Sequence, residues 1–524
     1  MKLNRANLSA ADLASGSAKA STPATERIVH IGLGAFARAH QAWYTSQVDP
    51  AGEWGIVAFT GRTPDMANQL NPQDGLYSLI TRGAKGDTFE IIDAVTRVCS
   101  GSDWISFNSA IVSANTALVT LTITEAGYRV LANGHLDTSD PLVRDDFTAM
   151  ANAQPELLQS ALARLAYALN QRRLESGLGL ALVSCDNLPA NGHILRAAMT
   201  DWFAGFGTQA VDWLETKVSF VSTSVDRITP RTTSADIAEV EAVTGWQDAS
   251  PVVTEPFSSW ILQGEFPLGR PAWENAGAQF VENIEHFENR KLWLLNGAHS
   301  LLAYAGQLLG HTTVAEAIGD TRCLEWVDAF WNEAQNSLIQ KELNVAEYRV
   351  ALIERFENSR IEHLLAQIAA DGATKLRVRV APVALTDLAF SRRPVGCATV
   401  IAAWIGFVLR EWQSGFADFK DSQASAIIAI LQASQGDPQQ QSRSPRAQSL
   451  PAWRRRKCCP ERPHLCPPPP SLRRPDRLQV CPHTRPTAAV LRQLSLPKLR
   501  RVTASHRISG RLRGLGLLQT GGHK

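Results

Sequence analysis

The feature that most constrains this chain is a short apolar run ending in glycines, RIVHIGLG at residues 27–34, with Ala35-Phe36-Ala37 directly after it. Such a run, with no polar alternation, predicts a strand buried on both faces, as in a parallel sheet covered by helices. The stretch Gly32-Leu33-Gly34-Ala35-Phe36-Ala37 fits G-x-G-x-x-[G/A] between that strand and the start of a helix. In this setting Gly32 permits the tight turn, Gly34 lets the backbone approach a pyrophosphate, and Ala37 is small enough for the helix to pack on the sheet. The helix N-terminus favours the phosphate charge. Phe36 and Arg38 belong to the same loop and complete its expected cofactor-binding set. A glycine motif of this kind has low specificity alone, so its weight comes from context.

The context is a repeat of strand and helix patterns. Apolar runs recur at WGIVAF (54–59), ALVTLTIT (117–124), GLALVS (179–184) and KVSFVS (217–222), with helical periodicity over 155–172. Alternation of this kind predicts an α/β fold of Rossmann type, a doubly wound and mostly parallel sheet. From about residue 285 leucine and alanine recur at helical spacing over 291–309, 321–340, 361–370 and 398–412. The expected domains are therefore a dinucleotide-binding domain at 1–285 and a mainly α-helical substrate and catalytic domain at 286–435.

Beyond about residue 436 proline and arginine dominate, acids nearly vanish, and apolar periodicity is lost. A segment like 436–524 buries too little apolar surface to offset its ordering entropy and is expected to be disordered. It reads either as a basic, nucleic-acid-binding tail or as the translation of a frameshifted GC-rich gene, and the second is preferred. The formal net charge of the whole chain is only +2, which gives no electrostatic case for a nucleic-acid partner. The first residues lack the apolar core of a secretory signal, and no run of about 18 uncharged apolar residues predicts a membrane span. Cys99, Cys185, Cys323 and Cys397 stand far apart, as reduced thiols of a cytoplasmic enzyme would. No metal site is expected.

Two segments speak to chemistry. After the second apolar run comes Thr60-Gly61-Arg62-Thr63-Pro64-Asp65. An acid such as Asp65 would bond a ribose 2′-hydroxyl and repel a 2′-phosphate, whereas Arg62 could pair with that phosphate. The balance leans to NAD, with NADP left open. Further on, ENRKLWLLNGAHS places Lys291, Asn296 and His299 within an arc of roughly 140° on an α-helix. A base, an amide and an imidazole on one face suit hydride transfer from a secondary alcohol, which needs a proton acceptor and a stabilised oxyanion.

Taken with IVHIGLGAFARAHQ, LTITEAGY, SCDNLPANGH, SVDRITP, EPFSSWILQGEFPLGRPAWE and QIAADGATK, the segment KLWLLNGAHS resembles the mannitol dehydrogenase family. These polyol-specific long-chain dehydrogenases include mannitol 2-dehydrogenases and fructuronate reductases. The matching segments run in order over roughly residues 27–380. The resemblance implies a zinc-independent, NAD(P)-dependent oxidoreductase. Its substrates would be a sugar alcohol or aldonate and the matching 2-ketose or keto-acid, and the protein a monomer or small homo-oligomer. It further implies Lys291 as acid/base, Asn187 and Asn296 as donors to the alkoxide, His299 as an orienting group and Glu288 as a proton relay. Asp226 with the adjoining Arg227, Lys375 and Gln367 would meet the substrate.

The chain also departs from the family pattern. Ala37 stands where the loop usually carries histidine, and Gln367 stands where mannitol 2-dehydrogenases carry arginine, which is closer to fructuronate reductase. The tail replaces a helical C-terminal segment. A catalytically impaired dinucleotide-binding homologue is the alternative reading.

Overall fold

The computed structural model describes residues 1–8, 22–61, 63–416 and 419–435. Arg62 and the expected disordered tail, 436–524, lie outside the described residues.

The strands are β1 Glu26–Ile31, β2 Gly55–Phe59, β3 Tyr77–Gly83, β4 Gly86–Ile92, β5 Val95–Cys99, β6 Leu118–Leu121, β7 Leu180–Ser184, β8 Val218–Asp226, β9 Val252–Thr254, β10 Ser259–Gln263 and β11 Gln279–Phe280. Eight of them form one sheet in the order β11-β10-β8-β7-β6-β1-β2-β5. From β8 to β5 every pairing is parallel, and β10 runs antiparallel to β8. The order reverses between β1 and β6, which are neighbours reached in opposite directions, so the carboxyl end of β1 lies at a topological switch point. The doubly wound Rossmann-type sheet expected from the apolar runs is present.

Successive residues of β1 explain why the runs are continuous. Ile28 packs into one core with Ile56, Leu118, Ala181 and Val183. Val29 packs into another with Val57, Val119, Leu182 and the helices Trp104–Val112, Ala161–Glu175 and Asn191–Ala204. Both faces are covered, so neither can be polar. The helix expected over 155–172 instead begins at Ala161. Ser160 caps it, and the Asp146 carboxylate accepts the N–H groups of Gln159 and Ser160, which holds the chain extended just before. A smaller sheet, β4-β3-β9, joins a hairpin to a parallel strand; none of its strands stood out in the apolar pattern.

The chain divides into two compact units. The first holds 1–295 together with 313–319 and 338–364, so two stretches of the helical half return to it. The second holds 296–312, 320–337 and the described residues from 365 to 435. In the second unit the helices Gly297–Leu309, Thr321–Gln335 and Val395–Gln413 pack on one another. Gly297 and Gly396 both lie against Phe330, where a Cβ would come within 2.4 and 2.6 Å of it. By length and composition alone Val395–Gln413 could cross a membrane. Its Cys397, Val400, Trp404 and Phe407 are buried in the described structure.

Candidate active site

The glycine loop leaves β1 as its sequence predicts. Gly32 has φ +96°, and a Cβ there would stand 2.3 Å from the Thr122 carbonyl oxygen at the end of β6. Only glycine fits. Gly34 differs: a Cβ would meet nothing closer than 4.0 Å. The fold itself does not require glycine at that position, so the open space above Gly34 fits a dinucleotide whose pyrophosphate approaches the backbone. Gly34 caps a helical stretch that runs from Ala35–Ala37 through a π-turn, Arg38–Ala42, to Trp43–Val48. The first-turn N–H groups have no acceptor within the helix. Ala37 is buried against the sheet and Phe36 is half-buried, its ring stacked on His40 at 5.0 Å.

Arg38 belongs to the set expected to bind the cofactor. Its guanidinium is buried and donates to the carbonyl and hydroxyl oxygens of Ser250, and its Nε donates to the Gly34 carbonyl at 3.4 Å. It braces the loop from within. Asp65 is exposed at the first turn of the helix Asp65–Leu70, where it accepts the Thr63 hydroxyl at 2.8 Å.

The second cluster forms at the carboxyl ends of β7 and β8. Lys291 Nζ donates to Asn187 Oδ1 at 2.8 Å and to the Val225 carbonyl at 2.7 Å. Asn187 is exposed, and its loop is held by its neighbour Asp186, which accepts the Ile123 and Thr124 N–H groups and the Tyr128 hydroxyl. Thr124 has φ +65°, a conformation costly for a β-branched residue that Asp186 helps to hold. Glu288 accepts the Ala190 N–H at 3.1 Å. Burial, together with Glu285, pushes its carboxyl up, against the opposing pull of that N–H and of Lys291.

Lys291 does not lie on an α-helix. The helix Glu285–Arg290 passes into a π-turn, Lys291–Asn296, before the α-helix Gly297–Leu309 resumes. The i→i+5 bonding of a π-turn sets residue 296 one turn beyond residue 291, whereas α geometry stacks Leu295 there instead. Asn296 closes the turn, and its carbonyl accepts Ser300 Oγ and Arg379 Nη1, each at 3.1 Å. His299 is buried in the second unit. Gln367, in the short helix Leu365–Ile368, is exposed in the same unit, and Lys375 is half-buried, its Nζ donating to the Ile368 carbonyl at 2.9 Å.

Asp226 ends β8 and is clamped by Arg355, whose Nη1 and Nη2 each lie 2.8 Å from one carboxylate oxygen. Burial raises the Asp226 carboxyl, but Arg355 and Lys291 outweigh it and hold it below the usual carboxylate range. Arg227 faces elsewhere. It is buried over the Trp43 ring, and its Nε and Nη1 donate to the carbonyls of Glu255 and Ala39. Three neighbours escaped the sequence reading. Glu255 lies in the matched EPFSS segment and His40 in ARAHQ, so both carried a signal. Arg355, one arginine in an amphipathic helix, carried none. His40 is buried, donates through Nε2 to the Ser259 carbonyl at 3.0 Å, and is pushed down to about 3 by burial, so it is neutral.

Residues 26–275 match the mannitol dehydrogenase Rossmann domain and residues 283–443 the mannitol dehydrogenase C-terminal domain. The D-mannonate oxidoreductase of Escherichia coli is 35% identical over 68% of this chain and 74% of its own length. The D-arabinitol 4-dehydrogenase of Ralstonia nicotianae is 35% identical over 74% of this chain and 84% of its own length. Among solved structures, the Pseudomonas fluorescens mannitol 2-dehydrogenase in ternary complex with NAD and D-mannitol superposes with a TM-score of 0.66 at 31% identity, covering 78% of this chain and 84% of that one. Both halves of the chain, in order and at this similarity, lead to one conclusion: it belongs to the mannitol dehydrogenase family.

Proposed function

We propose that this protein is an NAD-dependent, zinc-independent oxidoreductase that interconverts a sugar alcohol or aldonate with its 2-ketose or keto-acid. The observation that carries the proposal is Lys291 Nζ, held by Asn187 Oδ1 and the Val225 carbonyl at the carboxyl ends of strands in the dinucleotide-type sheet. The relatives named for mannonate, arabinitol and mannitol support the substrate class. The nicotinamide ring supplies the acceptor or donor of hydride when the dinucleotide is bound.

The chain supplies the rest. In oxidation Lys291 takes the hydroxyl proton of the carbinol, and in reduction it returns it. The side-chain amides of Asn187 and Asn296 donate to the oxygen as charge develops there. Glu288, with its carboxyl raised by burial, passes the proton outward. Asp226, fixed and ionised, accepts from a substrate hydroxyl, while His299, Lys375 and Gln367 orient the remaining hydroxyls. The described cysteines, Cys99, Cys185, Cys323 and Cys397, are free thiols, which supports a cytoplasmic location.

Two outcomes follow here. Among the described residues no group of three or more His, Cys, Asp or Glu side chains is placed to hold a metal, so turnover is expected to survive EDTA. Loss of activity on chelation, restored by zinc, would overturn the lysine mechanism. The exposed Asp65 carboxylate near the end of β2 favours a free ribose 2′-hydroxyl over a 2′-phosphate. The ratio of kcat/KM values is therefore expected to favour NADH over NADPH, and the preference is expected to narrow in Asp65→Ser. An NADPH preference would assign the position to Arg62.

A further inference from the structure

The helix Val345–Phe356 comes from the helical half of the sequence yet belongs to the first unit. It carries Arg355 into the end of β8. There its side chain is 4% exposed. It bonds both Asp226 oxygens at 2.8 Å, its Nε lies 2.7 Å from Glu255 Oε2, and its Nη2 lies 2.6 Å from Glu255 Oε1. Glu255 in turn accepts the Ile228 N–H at 2.6 Å. Asp226 directly follows Val225, whose carbonyl anchors Lys291 Nζ. Four of the five Arg355 N–H donors are directed at the Asp226 and Glu255 carboxylates, and the side chain is nearly sealed from solvent, so Arg355 is not placed to hold a substrate. Its chemistry is to fix two buried carboxylates and to balance their charge beside Lys291.

We propose that Arg355 is a positioning residue for the Lys291 centre, orienting Asp226 and setting, with Glu255, the pH at which Lys291 can accept a proton. This rests on the reading of Lys291 as the base. The groups around Lys291 are Asp226 from β8, His40 from the Ala35–Val48 stretch and Glu288 from its own helix. Arg227, Arg290 and Tyr348 lie around Asp226, Glu255 and Arg355. His40 is neutral, and Arg227 and Arg290 keep their charge throughout. Removing the Arg355 charge makes the surroundings of Lys291 more negative and so stabilises its ammonium. Removing the Glu255 charge does the opposite.

The test is the pH dependence of kcat/KM for alcohol oxidation, which rises with pH as Lys291 loses its proton. Arg355→Met is expected to move that midpoint up by about one pH unit, and Glu255→Gln to move it down. The double variant Arg355→Met/Glu255→Gln restores the charge balance and is expected to return the midpoint towards wild type. Arg355→Lys keeps the charge but loses the two-pronged grip, so its midpoint should stay while KM rises. If Arg355→Met does not fold, Glu255→Gln and Arg355→Lys still decide the matter. Folded Arg355→Met and Glu255→Gln proteins with unmoved midpoints would reduce Arg355 to a structural residue and overturn the proposal. If Lys291→Ala keeps the wild-type acid limb, the reading of Lys291 itself falls, which is a separate result.

Discussion

Lys291→Ala is expected to lower kcat by several orders of magnitude while leaving NADH affinity nearly unchanged. General acid–base catalysis contributes about 10²–10⁴-fold, and the ammonium also stabilises the alkoxide before it hands over its proton. The glycine loop is held by Phe59, Thr122 and Ser250, none of which depends on Lys291. Steady-state kinetics in both directions, with NADH binding followed separately by fluorescence, separates the two effects. The acid limb of the oxidation profile should disappear with the base. Near-normal kcat, or a defect confined to NADH binding, would mean that another residue moves the proton.

The second large effect separates the two loop glycines. At Gly32 any Cβ meets the Thr122 carbonyl at 2.3 Å, and the +96° φ is strained for other residues. Gly32→Ala is therefore expected to damage the apo protein. Strain of this kind costs about 1–3 kcal/mol before the steric clash is counted, which in a chain of this size corresponds to a Tm lower by roughly 1–3 °C, with the clash adding to it. Gly34→Val, by contrast, points its side chain into open space. Its Tm should match wild type while its Kd for NADH rises by tenfold or more, about 1.4 kcal/mol. Calorimetry and NADH titration on both variants check the pair. A Gly34→Val protein that binds NADH normally would remove the pyrophosphate from that loop.

What was legible in the sequence follows from how each signal arises. The strands β1, β2, β6, β7 and β8 are buried on both faces, so composition alone betrays them. Gly32 is a backbone requirement and shows itself as glycine. The direction of a long side chain has no such mark. Arg38 and Arg227 sit in segments expected to meet cofactor and substrate, and their guanidinium groups donate to backbone carbonyls inside the fold. The π-turn at Lys291–Asn296 changes which residues stack without changing composition, so α periodicity placed Leu295 where Asn296 belongs. Arg355 meets Asp226 across 129 positions of sequence, and nothing local in an amphipathic helix announces such a partner. Lys291 and Asn187, 104 positions apart, became legible together only through the family resemblance.

The central claim is tested most directly by following NADH oxidation, in EDTA, with fructose, fructuronate, tagaturonate and related ketoses as acceptors. The account predicts saturable turnover of at least one of them, abolished in Lys291→Ala. A protein that binds NADH but reduces none of these acceptors would contradict it and leave a dinucleotide-binding homologue that has lost its chemistry.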